Sequence, residues 1–254
     1  MTDHTPQRPG HFALVVFPQY EPLDAFGPTE ILHGLGHPMV NPDSAKVHLS
    51  IIGPSLEPVS SGPAEGDPSP HKSRVAQSIV PTHTFDNPPK DIDVLIVPGG
   101  FGAGPKALWG GGWEPAGVER VVQFLRDQYP GLKHLLTVCN GAGLAARAGI
   151  LDGHKATTNK QLWQVITTTG PKTHWVANAR WVVADNGKLW TSSGVSSGTD
   201  AMLALVDYTW GKNAQGVLFG DVLKEGMEWN RVYDSTADPF AVSNKCTDVE
   251  PQAA

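Results

Sequence analysis

The sequence predicts one doubly wound α/β domain, a mostly parallel sheet with helices on both faces and a small β-hairpin. Three observations carry this reading. Short apolar runs rich in β-branched residues, HFALVVF from His11, VHLSIIG from Val47, DVLIV from Asp93 and LKHLLTV from Leu132, read as buried strands. Stretches of helical spacing alternate with them, such as Leu23, Phe26, Ile31, Leu32 and Leu35 after the first strand. Proline and glycine punctuate the strand ends, at Pro18 and at Pro98-Gly99-Gly100. Alternating strands and helices imply a doubly wound sheet whose sites lie at the C-terminal ends of its strands.

Along the chain, the first strand runs His11 to Phe17 and the second Val47 to Gly53, with a short third strand at Val75 to Val80. Residues 54–72 between them are crowded with Pro, Ser and Gly, which marks an exposed excursion. Glu114 to Tyr129 has helical spacing in Val118, Val121, Val122 and Leu125. A buried strand, Leu132 to Val138, then leads through Cys139 into a small-residue helix, Gly141 to Ala148. Trp175 to Trp190 reads as a hairpin turning at Asp185-Asn186-Gly187, because Asn-Gly tolerates the positive φ angles of a tight turn. Ser197 to Trp210 and Lys212 to Trp229 are expected to be helical, the first with Ser197 or Thr199 as N-cap and Asp200 in its first turn. Residues 1–10 are expected to be flexible, 11–230 to form the single domain, and 231–254 to be a C-terminal tail.

Composition narrows the functional classes. The 254 residues are 40% apolar and 17% charged, a globular composition, and no stretch approaches the roughly 18 apolar residues of a membrane span. A formal net charge of -6 gives no field that would draw a polyanion, so nucleic acid is excluded as a partner. The start, MTDHTPQRPG, has no basic region followed by an apolar one and does not read as a secretory signal, so a cytoplasmic protein is expected. Ten histidines and two cysteines show no ligand spacing, so neither metal nor cofactor is expected. Trp109 and Trp113, in a glycine-rich loop, suit an apolar pocket or a dimer contact equally.

Cys139 is the centre of the functional reading. It follows Leu135-Leu136-Thr137-Val138 and precedes Asn140-Gly141-Ala142-Gly143, a strand-to-helix corner built like a nucleophile elbow with Cys in place of Ser. A thiol at a helix N-terminus is favoured as thiolate, so Cys139 is expected to have the lower pKa and Cys246 an ordinary one. A buried structural cysteine is the alternative.

The segments VLIVPGGFG (Val94 to Gly102), TVCNGAGLAARAGILDGHKATT (Thr137 to Thr158), TSSGVSSGTDAMLALV (Thr191 to Val206) and PLDAFGPTEIL (Pro22 to Leu32) together resemble the ThiJ/PfpI superfamily. The pattern is most similar to its isonitrile hydratases and to sensor-like domains of some bacterial transcription regulators. The resemblance implies a flavodoxin-like, class I glutamine amidotransferase-like fold, a homodimer and a small-molecule substrate. By the same resemblance Cys139 matches the nucleophile and Asp24 the acid beside it, while Gly99, Gly100 and Phe101 match the loop facing the cysteine and Gly141 joins them as a substrate-binding position.

Asn140 departs from the pattern. Amidase, protease and glyoxalase members commonly have His after the cysteine and the hydratases Thr; Asn cannot titrate near neutral pH, which disfavours acyl transfer. A second departure is Asn159-Lys160, where the hydratases often carry His-Trp. The resulting expectation is an isonitrile hydratase-like lyase with Cys139, Asp24 and Asn140 as catalytic residues, in which Asn140→Thr preserves or raises activity. The alternatives are glyoxalase- or deglycase-like chemistry on α-oxoaldehydes, and a non-catalytic small-molecule-binding or oxidation-sensing protein.

Overall fold

The computed structural model describes residues 8–67, 73–105 and 117–252. Eleven strands are present among them: β1 His11–Val15, β2 His48–Gly53, β3 Val59–Ser60, β4 Ser78–Ile79, β5 His83–Thr84, β6 Val94–Val97, β7 His134–Thr137, β8 Lys155–Ala156, β9 His174–Trp175, β10 Trp181–Ala184 and β11 Leu189–Ser192. Seven of them form the central sheet, in the order β10-β11-β7-β6-β1-β2-β5. All its pairings are parallel except β10 with β11. The helices are α1 Pro22–Leu35, α2 Val118–Gln128, α3 Gly141–Arg147, α4 Trp163–Ile166, α5 Ser197–Trp210, α6 Phe219–Gly226 and α7 Pro239–Ser243. One layer packs α1, α5 and α6 together; the other packs α2 on α3. Every residue of β1, β6 and β11 is buried, as a sheet covered on both faces requires.

Strand order reverses between β1 and β6, because the chain leaves β1 toward β2 on one side and later fills β6, β7 and β11 on the other. A reversal of this kind opens a crevice at the carboxyl ends of the strands. Asp24, Gly99 and Cys139 follow β1, β6 and β7 respectively, so the topology gathers them at that crevice.

Several elements differ from the sequence reading. The third strand of the main sheet is β5, whereas residues 75–80 contribute only β4, which pairs antiparallel with β3 in a separate small sheet; Val75 is exposed. The helix expected over 212–229 is confined to α6. Lys212 bridges to Leu218, the Asn213 side chain accepts the N–H groups of Gln215 and Val217, and Gly216 has φ +80, so a side-chain-built turn replaces the first two helical turns. The hairpin forms with its turn at Asp185-Asn186-Gly187, all three at positive φ, but its strands are β10 and β11; Trp175 pairs instead with Ala156. At α5 the N-cap is Ser196, and no side chain caps the helix. The loop with Trp109 and Trp113 lies outside the described residues.

Residues 231–252 are bound to the body of the protein. Trp163 Nε1 donates to Thr247 O at 3.0 Å, Ala177 N to Asp248 Oδ1 at 2.7 Å, and Val249 bridges Trp175.

Candidate active site

Cys139 occupies the turn between β7 and α3 with φ +56, a conformation that costs a side-chain-bearing residue strain and is held by its surroundings. Its N–H donates to Ser193 O at 3.0 Å, and its carbonyl accepts from Thr158 Oγ1 at 2.9 Å. The elbow is therefore braced from the residue that follows β11 and from the segment after β8. Asn159 Nδ2 donates to Sγ at 3.1 Å, and the backbone N–H groups of Asn140 and Val195 add to it in drawing the thiol's pKa down. The Asn159 amide is oriented by its other end, since Oδ1 accepts from Leu162 N at 3.0 Å.

Asp24, on the first turn of α1, is completely buried. Its Oδ2 accepts the N–H of Gly99 at 2.8 Å rather than an N–H of its own helix, and Oδ1 has no partner among the described groups. Burial, with the charge of Glu21 adding to it, pushes the carboxyl well above the usual carboxylate range; the bonds from Gly99 and from the Cys139 thiol oppose this only partly. The thiol is likewise pushed well above its ordinary value, first by burial and then by the charge of Asp24, against the pull of its three N–H donors. The expectation of a resting thiolate is thereby corrected: desolvation and the neighbouring carboxylate outweigh the end of a seven-residue helix. Thiol and carboxyl act on each other, and a negative charge on one raises the cost of charging the other.

Glycine is required at position 100. Its φ is +125, and a Cβ there would lie 2.4 Å from Gln19 O and Glu21 N. Around it Glu21 N donates to Gly99 O at 2.8 Å and Gly102 N to Gln19 O at 3.0 Å, so the loop after β6 is sewn to the loop after β1. Asn140 completes the seam, because Oδ1 accepts from Gly100 N at 2.7 Å and Nδ2 donates to Gly100 O at 2.9 Å. Both ends of the Asn140 amide are thus committed to one backbone residue. Asn140 acts as a positioning residue through its side chain and touches the sulfur only through its N–H. The amides of Gly99 and Gly100 are bonded to Asp24 and Asn140, which leaves neither N–H free for a ligand.

A hollow of about 270 Å³ lies over the elbow, walled by Glu21, Gly100, Phe101, Cys139, Asn140, Asn159, Gln161, Leu162 and Val195. Gly100 and Phe101 line it. Gly99 and Gly141 do not; a Cβ at Gly141 would lie 2.6 Å from the carbonyl oxygens of Val97 and Pro98, so that glycine serves packing. Asp24 also lies outside the wall and reaches the site through the sulfur. Asn159 and Val195 are the donors that sequence reasoning missed. The signal for Asn159 was present in the departure at Asn159-Lys160; Val195 acts through its backbone, which no residue pattern marks.

The DJ-1/PfpI family profile matches residues 11–208. The chain belongs to the DJ-1/PfpI family. A curated relative, an isonitrile hydratase of Pseudomonas putida, is 30% identical over 191 residues, 75% of this chain and 68% of the relative. Among solved structures, a ThiJ/PfpI family protein from Pseudomonas syringae superposes with a TM-score of 0.61 at 22% identity, covering 91% of this chain and 81% of that one. An AraC family transcriptional regulator from Pseudomonas putida gives 0.62 at 16% identity, covering 86% and 100%. Drosophila melanogaster DJ-1beta gives 0.60 at 17% identity, covering 89% and 100%. These structural likenesses establish the flavodoxin-like α/β fold of the family. No helix among the described residues is long and apolar enough to cross a membrane, and no three His, Cys, Asp or Glu among them converge as metal ligands would.

One further buried charge of this DJ-1/PfpI chain lies beside the site. Lys160, next to Asn159, is buried, with Nζ donating to Thr157 Oγ1 at 2.6 Å and Ala179 O at 2.9 Å and lying 3.9 Å from Asp238 Oδ2. Burial pushes its pKa down to about 8 against the attraction of Asp238.

Proposed function

We propose that this protein is a cysteine-dependent, isonitrile hydratase-like lyase that converts R–N≡C and water to R–NH–CHO. The observation that supports this most is the burial of the Cys139 thiol beside the Asp24 carboxyl, both pushed above their ordinary ranges first by burial. The thiol gives its proton to Asp24, and the sulfur attacks the terminal isonitrile carbon. The proton returns to that carbon, directly or through one water, forming the thioimidate R–N=CH–S. Water then adds to the thioimidate carbon while nitrogen gains a proton, and collapse of the resulting R–NH–CH(OH)–S expels the sulfur, which recovers a proton through Asp24. Three N–H donors around Sγ stabilise the sulfur when it is charged, at the start and at the end of the cycle.

The α-oxoaldehyde alternative benefits from a base whose ordinary pKa is near neutrality to shuttle protons between adjacent carbons, and among the described residues lining the hollow there is no histidine. The same three donors suit a sulfinate, which gives the oxidation-sensing reading a specific basis. A homodimer in the cytoplasm acting on a small molecule belongs to the proposal. Cyclohexyl isocyanide with purified protein should yield the formamide, with negligible lactate from methylglyoxal and both products absent in Cys139→Ser. Lactate without formamide would sink the hydratase reading; neither product, with a two-oxygen mass gain at Cys139 under mild peroxide, would favour sensing. Asn140→Thr should now lower formamide production, because a hydroxyl cannot hold Gly100 N and Gly100 O together.

A further inference from the structure

A second hollow, about 340 Å³, opens beside the one over Cys139 and shares three of its walls, Asn159, Gln161 and Val195. Its far side is built from distant parts of the chain: Leu23 of α1, and Phe240 and Asn244 of the C-terminal segment. Leu23 is 41% exposed and Phe240 56% exposed, so both offer apolar surface to an occupant. The charged residue in the lining, Lys160, turns its ammonium to Thr157, Thr158 and Ala179.

Phe240 is held in place. Asp238 caps α7 by accepting Phe240 N at 3.0 Å, its own N–H donates to Asn178 O at 2.8 Å, and its other carboxylate oxygen faces Lys160. Lys160 is the residue after Asn159, which donates to the Cys139 sulfur. One short buried connection therefore fixes the reactive sulfur's donor and the aromatic wall relative to each other.

We propose that the C-terminal segment completes the active site, and that this second compartment receives the substituent of the molecule attacked by Cys139. An uncharged, apolar group of about one ring's size fits it: the ring is buried against Phe240 and Leu23, and the described lining residues present amides and hydroxyls but no carboxylate. Phe240 and Asn244, the part of the wall that the C-terminal segment supplies, come from beyond residue 208, where the family match ends. The proposal rests on the reading of Cys139 as the attacking group, though not on isonitrile chemistry.

Thiol alkylation tests it independently of turnover. Full-length protein is treated with iodoacetamide or N-benzyl iodoacetamide, modification of the Cys139 peptide is followed by mass spectrometry, and glutathione gives the intrinsic ratio of the two reagents. Cys139 should favour the benzyl reagent about tenfold beyond the glutathione ratio. Phe240→Ala, tolerable because the ring is half-exposed, should lose most of that preference while the iodoacetamide rate moves less than about twofold. Asn244→Trp, which fills the compartment, should do the same. A wild type without preference, or a preference untouched by both variants, would overturn the proposal. A Cys139 inert to both reagents would overturn the reading beneath it as well.

Discussion

Buried ionisable groups occur in two regions of this protein, and they are provided for in opposite ways. Where the C-terminal segment meets the body, Arg180 Nε and Nη2 donate to Asp200 Oδ2 at 2.9 and 2.7 Å, and Asp200 Oδ1 accepts from Trp229 Nε1 and Val232 N. Lys160 and Asp238 repeat the pattern at longer range. At the elbow, Asp24 has one backbone donor, an idle oxygen and a thiol for company. Burial penalises charge in both places, but only the first region supplies the counter-charges and hydrogen bonds that offset it. Paired charges hold the structure; a pair of acids without a cation among the groups acting on it is left with both pKa values raised above their ordinary ranges.

The sharpest break of this contrast should come from Asp200→Ala. It strands a buried guanidinium and two further donors, and about 3–5 kcal/mol of unfolding free energy should be lost, read from the urea midpoint. A loss under about 1 kcal/mol would mean that the pair does not anchor the structure.

Lys160→Met should destabilise less, and adding Asp238→Asn should recover much of the loss, because the double variant leaves no unpaired charge and Asn still caps α7. The sign with pH is fixed. Lys160 titrates at about 8 folded against 10.5 as its ordinary value, so the unfolded chain binds more protons between those values and stability rises with pH across them. Thermal melts of wild type minus Lys160→Met should show that rise; a flat difference would contradict it.

Asp24→Asn should have the smallest effect on stability at neutral pH, null or slightly favourable, since the amide oxygen can still accept from Gly99 and no charge is buried. Because the folded carboxyl titrates above its ordinary value, wild type should lose stability as pH rises from 3.8 through the raised folded value, and the variant should not. Parallel melts across that window decide the matter.

Local pattern was enough to locate β1, β6, β7 and the elbow, because buried strands and a strand-to-helix turn leave their marks within a few residues. The pairing of Asp24 with Cys139 was reached through resemblance, across 115 positions of sequence that no periodicity could bridge. Three features stayed hidden for distinct physical reasons. The direction of the Cys139 shift depends on how completely the fold excludes water, which outweighs the local helix end. The use of Asn140 as a clamp on Gly100 depends on how close β6 and β7 bring two loops. The 212–218 turn was read as helix because its apolar spacing is helical, while Asn213 and Gly216 impose a different backbone.

Coupled titration of Asp24 and Cys139 is read directly from the thiolate absorbance of the wild type, with Cys139→Ser subtracted, as pH is raised. The Cys139 thiolate should appear above the ordinary thiol range in the wild type and at distinctly lower pH in Asp24→Asn, where the opposing negative charge is gone. Superimposable titrations of the two proteins would show that the carboxyl does not govern the sulfur, and would contradict the account.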